Sequence, residues 1–178
     1  MDQLVFRRLQ LGDERELDNA QRIMAQEHFA FAFDYAPGQD FAAYLATLDD
    51  HRLGRNLRAG KVAASFEVGV LGARIVARLS VRHALNDFLL QQGGHIGYGV
   101  LPEFRGRGFA TAALQRGLAL TSSLGIASVL VTCDEDNVPS RRTIEKAGGR
   151  YESSYLHSDG SPPTRRYWFE RGGHTQAD

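Results

Sequence analysis

The chain has 178 residues with 21 basic and 21 acidic side chains, so it carries no net formal charge. That balance excludes a global electrostatic drive toward nucleic acid or an anionic membrane surface. The single cysteine, Cys133, excludes an intrachain disulfide and a multi-cysteine metal centre.

A chain of this size buries a substantial core without a disulfide or metal staple, and it suits one domain spanning residues 1–178. The N-terminal residues Met1-Asp2-Gln3-Leu4 show no basic region followed by a long apolar run, and no apolar stretch approaches the length of a membrane span. The expectation is a cytoplasmic protein without a signal peptide.

Leu4 to Leu9 reads as a short first strand. Gly12-Asp13-Glu14 opens a helix to about Gln26, with Leu17, Ala20, Ile23 and Met24 at helical spacing. Phe29, Phe31, Phe33 and Tyr35 then alternate with small residues, and Pro37-Gly38 breaks the chain before a helix over Phe41 to Leu48. Two alternating apolar runs follow, Val62 to Val70 and Ile75 to Val81, and they read as a hairpin. With Leu71-Gly72 as the turn, Phe66 faces Ala77, Val68 faces Ile75 and Ala64 faces Leu79.

A polar connection, Arg82 to Asp87, leads to an extended run from His95 to Val100. A glycine- and arginine-rich turn then opens a helix over about Gly108 to Leu124, with apolar positions Phe109, Ala113, Leu120 and Leu124, and Gly125 is placed to end it. Ser128 to Cys133 has the length and continuous apolar character of a buried parallel strand. Asn137 can cap a helix that ends at Gly148-Gly149, with Pro139 tolerated in its first turn. Arg150 to Leu156 and Thr164 to Arg171 read as closing strands around a turn-rich segment.

The chemistry concentrates in Gly99-Val100-Leu101-Pro102-Glu103-Phe104-Arg105-Gly106-Arg107-Gly108-Phe109-Ala110. A helix start has unpaired backbone N–H groups and a partial positive charge, and glycines let a phosphate approach it. Arg105 and Arg107 add cationic donors. The unit suits a pyrophosphate. It lacks the Gly-Lys-[Ser/Thr] of a Walker loop, and its spacing is not that of a dinucleotide fingerprint. The bland reading is a turn with solvated arginines. Asn137-Val138-Pro139-Ser140-Arg141-Arg142 places two more arginines in a first helical turn, where cations oppose the helix dipole unless an anion lies nearby. There the bland reading is that they point to water or reach acidic neighbours.

Arg105-Gly106-Arg107-Gly108-Phe109-Ala110 resembles the R/Q-x-x-G-x-G/A signature of the GNAT (GCN5-related N-acetyltransferase) superfamily, and Val131 to Gly149 resembles the strand and helix that follow it there. The likeness is strongest over about 94–149, and Arg82–Asp87 with Gly93–Gly99 resembles a bacterial subgroup of acetyltransferases. The resemblance implies an α+β, three-layer fold with a mixed, mostly antiparallel sheet of six or seven strands and helices on both faces. It implies that the strands His95–Val100 and Ser128–Cys133 run parallel and splay apart around the acyl-pantetheine arm of acetyl-CoA. Backbone groups of Tyr98, Gly99 and Val100 would meet the pantetheine amides. Those of Arg105, Gly106, Arg107, Gly108, Phe109 and Ala110 would hold the pyrophosphate, with Arg141 nearby. Asn137 and Ser140 would lie beside the arm or the thiol. A homodimer is common in the superfamily, and no interface is legible here.

The implied reaction is direct attack of a primary amine, on a small molecule or on a peptide or protein, at the thioester carbonyl. The Val100 N–H is the expected donor to the carbonyl oxygen. Many members carry a tyrosine as the thiolate's acid where this chain has Ile144. Ser140 is the nearest hydroxyl, and a thiol with a pKa of about 8.5 can leave with a hydrogen bond alone. His95 is the first candidate base, against a structural imidazole as the alternative. His83 is a second. Glu67 is read as a cross-strand ion-pair partner of Arg74 or Arg78, and Asp134 and Glu135 as a solvated loop. Cys133 is read as a core residue. The Phe29–Tyr35 aromatics line an acceptor pocket or pack on the sheet. The alternative to an enzyme is an acyl-CoA-sensing module of the same fold without turnover.

Overall fold

The protein is described from a computed structural model over residues 3–170. Seven strands form one sheet: β1 (Val5–Arg7), β2 (Ala64–Leu71), β3 (Arg74–Arg82), β4 (Ile96–Val100), β5 (Ser128–Asp134), β6 (Arg150–Tyr155) and β7 (Thr164–Glu170). The spatial order is β1-β2-β3-β4-β5-β7-β6. All neighbours pair antiparallel except β4 and β5, which run parallel. The mixed, mostly antiparallel sheet matches the expected fold class.

Four helices follow local rules. α1 (Glu14–Ala25) buries the stripe Leu17, Ala20 and Met24. α2 (Phe41–Arg52) is capped by Asp40, whose carboxylate accepts from the Ala43 N–H at 3.0 Å. α3 (Phe109–Ser123) starts at Gly108 in the left-handed region and has no side-chain cap. α4 (Val138–Lys146) is capped by Asn137, whose Oδ1 accepts from the Ser140 N–H at 3.1 Å, with Pro139 in its first turn.

The helices lie on both faces. α1 and α2 pack Leu17, Met24, Phe41 and Tyr44 against Phe66, Val68 and Ile75. On the other face Leu114 of α3 and Ile144 of α4 pack against Leu79, Val81, Ile96, Val131 and Tyr167. Val76, Ala77 and Val100, with Phe104, Phe109 and Ala110, seat the start of α3 at the end of β4. Gly117 brings α3 close to the sheet, since a Cβ there would lie 2.9 Å from Ile96 and 3.2 Å from Leu79. No helix among the described residues is long and apolar enough to cross a membrane.

Several sequence readings need correction. The β2–β3 turn is Gly72-Ala73, with Leu71 opposite Arg74 and Gly72 at φ +60°. Phe66 therefore lies opposite Ser80 rather than Ala77, Val68 opposite Arg78 rather than Ile75, and Ala64 opposite Arg82 rather than Leu79. A bulge at Gly69/Val70 adds a further offset. Both strands are covered on both faces, so apolar alternation does not single out a register. Glu67 consequently meets neither Arg74 nor Arg78. Its carboxylate takes a two-pronged bond from Arg116 of α3, at 2.7 and 2.8 Å. The buried stripe of α3 runs through Ala113, Leu114, Gly117 and Thr121, and Leu124, the C-cap beyond its last residue, is exposed. β1 is shorter than the expected Leu4–Leu9, and Leu89–Gly93 forms one helical turn inside the presumed connection.

Candidate active site

Strands β4 and β5 meet only where the beginning of β4 reaches the middle of β5. Ile96 pairs with Val131, and the N–H of His95 donates to the Leu130 carbonyl at 2.7 Å. Gly94 makes that approach possible, since a Cβ there would come within 2.7 Å of the Leu130 oxygen. Beyond Val131 no β5 residue stands opposite β4.

The phase of the β3–β4 ladder is set by Arg82 N–H to His95 O at 2.7 Å and Leu101 N–H to Val76 O at 2.9 Å. In an antiparallel ladder the intervening residues turn their backbone groups to the other edge. Tyr98 and Val100 therefore face the widening gap. Gly97, Tyr98 and Gly99 are half-exposed although β4 is the middle strand of the sheet, which marks a cleft.

At the end of β4 the chain turns through Pro102–Phe104 and two left-handed glycines, Gly106 at φ +74° and Gly108 at φ +80°. Both are open around the position of a Cβ. The first-turn N–H groups of α3, with no side-chain cap, face that opening. Arg107 lies over the Phe104 and Phe109 rings, at 5.6 and 5.1 Å from their centroids, and makes no ion pair among the described residues. Arg105 is engaged elsewhere. Its Nε donates to the Val100 carbonyl at 3.1 Å and its Nη1 to Glu27 at 3.0 Å, so its guanidinium braces the turn.

Across the gap, the Tyr98 hydroxyl meets the Ser140 hydroxyl at 2.9 Å. Burial pushes the Tyr98 phenol up to about 12, partly offset by the Ser140 hydrogen bond, so it keeps its proton near neutral pH. Cys133 is buried beside this pair, and burial, with Asp134 next to it, pushes its thiol up to about 11. Such a thiol is a poor nucleophile. Arg141 is half-buried in the first turn of α4, and Ile144 is fully enclosed in the core. The Tyr98 hydroxyl was missed by sequence reasoning, which used only the backbone of that residue. Alternation puts Ile96, Tyr98 and Val100 on the α3–α4 face, and that was the available signal.

His95 is 5% exposed, and its Nδ1 accepts from the Leu130 N–H at 3.0 Å. An accepting Nδ1 places the proton of the neutral ring on Nε2. Burial, with Arg82 nearby, lowers its pKa below the ordinary 6.5. Protonation therefore favours the unfolded chain. The stabilisation is full above about pH 6.5 and is lost as pH falls through the lower, folded-state pKa. His95→Ala leaves the Leu130 N–H buried without its acceptor and is expected to cost about 1–3 kcal/mol at neutral pH. Its unfolding midpoint is expected to fall less steeply than the wild type's on acidification. Parallel midpoint-against-pH curves would remove the histidine from this role.

The other weighed residues lie in ordinary structural settings. His83 bonds the Ser65 hydroxyl at 2.9 Å, and Glu135 pairs with Arg165 at 2.8 Å. Phe31 and Tyr35 are core residues, whereas Phe33 is 39% exposed.

A sheet opened between two parallel central strands, next to an uncapped helix start cleared by glycines, defines an acyl-CoA-binding fold. Residues 3–150 match the acetyltransferase (GNAT) domain family, and the chain belongs to that family. Its acyl donor is acetyl-CoA, and the site fits it: the α3 start offers free N–H donors, and the edge of β4 offers backbone partners. RimJ of Mycobacterium smegmatis, solved with a CoA-disulfide, superposes with a TM-score of 0.67 at 22% identity, covering 98% of this chain and 85% of that one. The protein yncA of Salmonella typhimurium, solved with its cofactor acetyl-CoA, gives 0.65 at 14% identity, covering 98% of each chain. The microcin C7 self-immunity acetyltransferase MccE, solved with acetyl-CoA and AMP, gives 0.69 at 16% identity, covering 96% and 94%. No curated protein matches the chain in sequence.

Proposed function

We propose that the protein transfers an acetyl group from acetyl-CoA to a primary amine of a small molecule, or of a peptide or protein, by direct attack. The observation that carries this is the β4–β5 divergence opening beside the uncapped start of α3. The first-turn N–H groups of α3, from Gly108 through Ala110, would hold the pyrophosphate with Gly106 and Arg107. The backbones of Tyr98 and Val100 would align the pantetheine, with Asn137 and Arg141 at the α4 side, whereas the expected Gly99 backbone is turned to β3.

Acetyl-CoA supplies the acyl group as a thioester. The Val100 N–H, facing the gap, is the donor placed to polarise the thioester carbonyl. The Tyr98–Ser140 pair holds a proton for the departing thiolate, the role that the apolar Ile144 cannot fill. His95, with Nδ1 committed to Leu130, aligns β4 with β5 rather than taking the amine's proton. The amine then loses its proton to solvent, and the rate is expected to rise with pH through the amine's own pKa.

The test is thermal unfolding with acetyl-CoA, coenzyme A and ATP, followed by thiol release with a panel of amines. A ligand at about 100 times its dissociation constant adds roughly 2.7 kcal/mol of stability. Stabilisation by acetyl-CoA but not ATP, with thiol release for some amines, supports the enzyme. Stabilisation with no thiol release from any amine points instead to an acyl-CoA-sensing module. No stabilisation at millimolar acetyl-CoA removes both readings.

A further inference from the structure

On the face of β3 that packs toward α1 and α2, two arginines, Arg78 buried and Arg82 half-buried, stand without a carboxylate. Arg78 is 4% exposed, and its Nε is a buried polar side-chain atom with no hydrogen-bond partner. Its Nη1 has only a long bond, 3.4 Å, to the Phe31 carbonyl. The guanidinium is held between the Phe29 and Phe33 rings, at 4.7 and 4.4 Å from their centroids. Arg82, two residues beyond Ser80 on the same face, lies 5.8 Å from the Phe33 ring and donates to the Gly93 carbonyl at 3.2 Å. Neither arginine makes an ion pair among the described residues.

The two guanidiniums converge on one point of the cleft. That point is Gly97 of β4, which lies opposite Ser80. A Cβ on Gly97 would sit 3.1 Å from Arg82 Nη1, 3.1 Å from Ser80 Oγ and 3.6 Å from Arg78 Nη2. The absent side chain leaves the backbone there half-exposed under two cations and a hydroxyl. Like charges are thus brought together in a desolvated place, and burial with Arg82 alongside pulls the Arg78 guanidinium down to about 9, which still leaves it charged at neutral pH. Buried charge without a counter-charge is strongly unfavourable, and guanidinium forks match the planar oxygens of carboxylate and phosphate. The cofactor's expected phosphate seat is elsewhere, at the start of α3, so it does not supply the missing anion.

We propose that the acceptor amine is a small molecule that also carries an oxyanion, a carboxylate or a phosphate, which docks on Arg78 and Arg82 over Gly97. This rests on the acetyltransferase reading above. It makes the Phe29–Phe33 segment and the Gly97–Gly99 stretch of β4 the walls of the acceptor site. It also excludes polyamines and other purely cationic acceptors, which two arginines would repel.

The test begins with protein saturated in acetyl-CoA, so that the cofactor's own phosphate seat is filled. Sodium phosphate and sodium acetate are titrated against sodium chloride of equal ionic strength, and the unfolding midpoint is followed. Arg82→Gln serves as the reference, because general salt effects act on both proteins alike. Thiol release is then measured for two matched pairs, glycine with glycinamide and aminoethyl phosphate with ethanolamine.

One of the two anions is expected to stabilise the wild type more than Arg82→Gln. The anionic member of at least one pair is expected to exceed its neutral partner by about tenfold or more in kcat/KM, chiefly through KM. Arg82→Gln is expected to erase that preference while binding acetyl-CoA as before. Arg78→Lys, which keeps the charge but loses the fork, is expected to reduce it in part. The pair that responds distinguishes carboxylate from phosphate. Equal anion responses in wild type and Arg82→Gln would overturn the proposal, as would neutral or polycationic amines turned over as well as the anionic ones. If acetyl-CoA itself fails to bind, the acetyltransferase reading falls and takes this one with it. If it binds and no anion response follows, only the present assignment falls.

Discussion

Replacing Gly108 with leucine is expected to abolish measurable acetyl-CoA binding while leaving the protein folded. Gly108 lies at φ +80°, where an L-residue is strained by about 1–2 kcal/mol. In a protein of this size that costs roughly 2–4 °C of thermal midpoint for each kcal/mol. The larger effect is steric. A Cβ at Gly108 meets no protein atom within 4 Å, so the leucine side chain extends into open space at the start of α3. That is the space a pyrophosphate would occupy to reach the uncapped N–H groups. Excluding it should weaken binding by at least about 100-fold, or about 2.7 kcal/mol. Calorimetric titration of wild type and variant reads the effect directly. Unchanged affinity in a folded variant would show that the turn is only a turn.

Tyr98→Phe combined with Ser140→Ala is expected to lower kcat by about 10- to 100-fold, with acetyl-CoA affinity nearly kept. The two hydroxyls, 2.9 Å apart, join the middle strand to the start of α4. A hydrogen bond to a charged group contributes about 1.5–3 kcal/mol, which corresponds to that range of rate. The phenol, pushed up to about 12 by burial, remains protonated and so keeps a hydrogen to donate near neutral pH. Tyr98→Phe is nearly isosteric, so a fall in kcat without a fall in midpoint separates a chemical role from a packing one. A double variant with full kcat would return the pair to structure and leave the thiolate to solvent.

The local features of this protein were legible in its sequence. Asn137, Pro139 and Gly125 mark helix ends through backbone rules that act within a few residues. The apolar run Ser128–Cys133 has the length and the character of a strand covered on both faces, which is what β5 is. The glycines of the Arg105–Ala110 turn are required by local dihedral angles, and their order after a strand is enough to suggest an anion site. The family resemblance rested on the same short-range signals.

What depended on contacts between distant segments was not legible. The β2–β3 register follows from the turn at Gly72-Ala73 and the bulge at Gly69/Val70, and strands buried on both faces offer several registers of similar apolar match. That error also misassigned Glu67, whose partner Arg116 lies on a helix far along the chain. Arg105 looked like a phosphate ligand by its motif, yet Glu27 of the segment after α1 and the Val100 carbonyl hold it. Arg78 read as a possible ion-pair partner of Glu67, and Arg82 as the first residue of a polar connection. Only the packing of the Phe29–Phe33 segment over β3 and β4 makes Arg78 a buried cation, with the half-buried Arg82 beside it, and leaves both without a counter-charge. The sequence by itself determined the order and kind of the main strands and helices, and which turn can receive an anion, because backbone conformation and capping are decided by near neighbours. Tertiary structure alone decided which side chains meet in the cleft, because pairing and burial depend on which remote surfaces the sheet brings together.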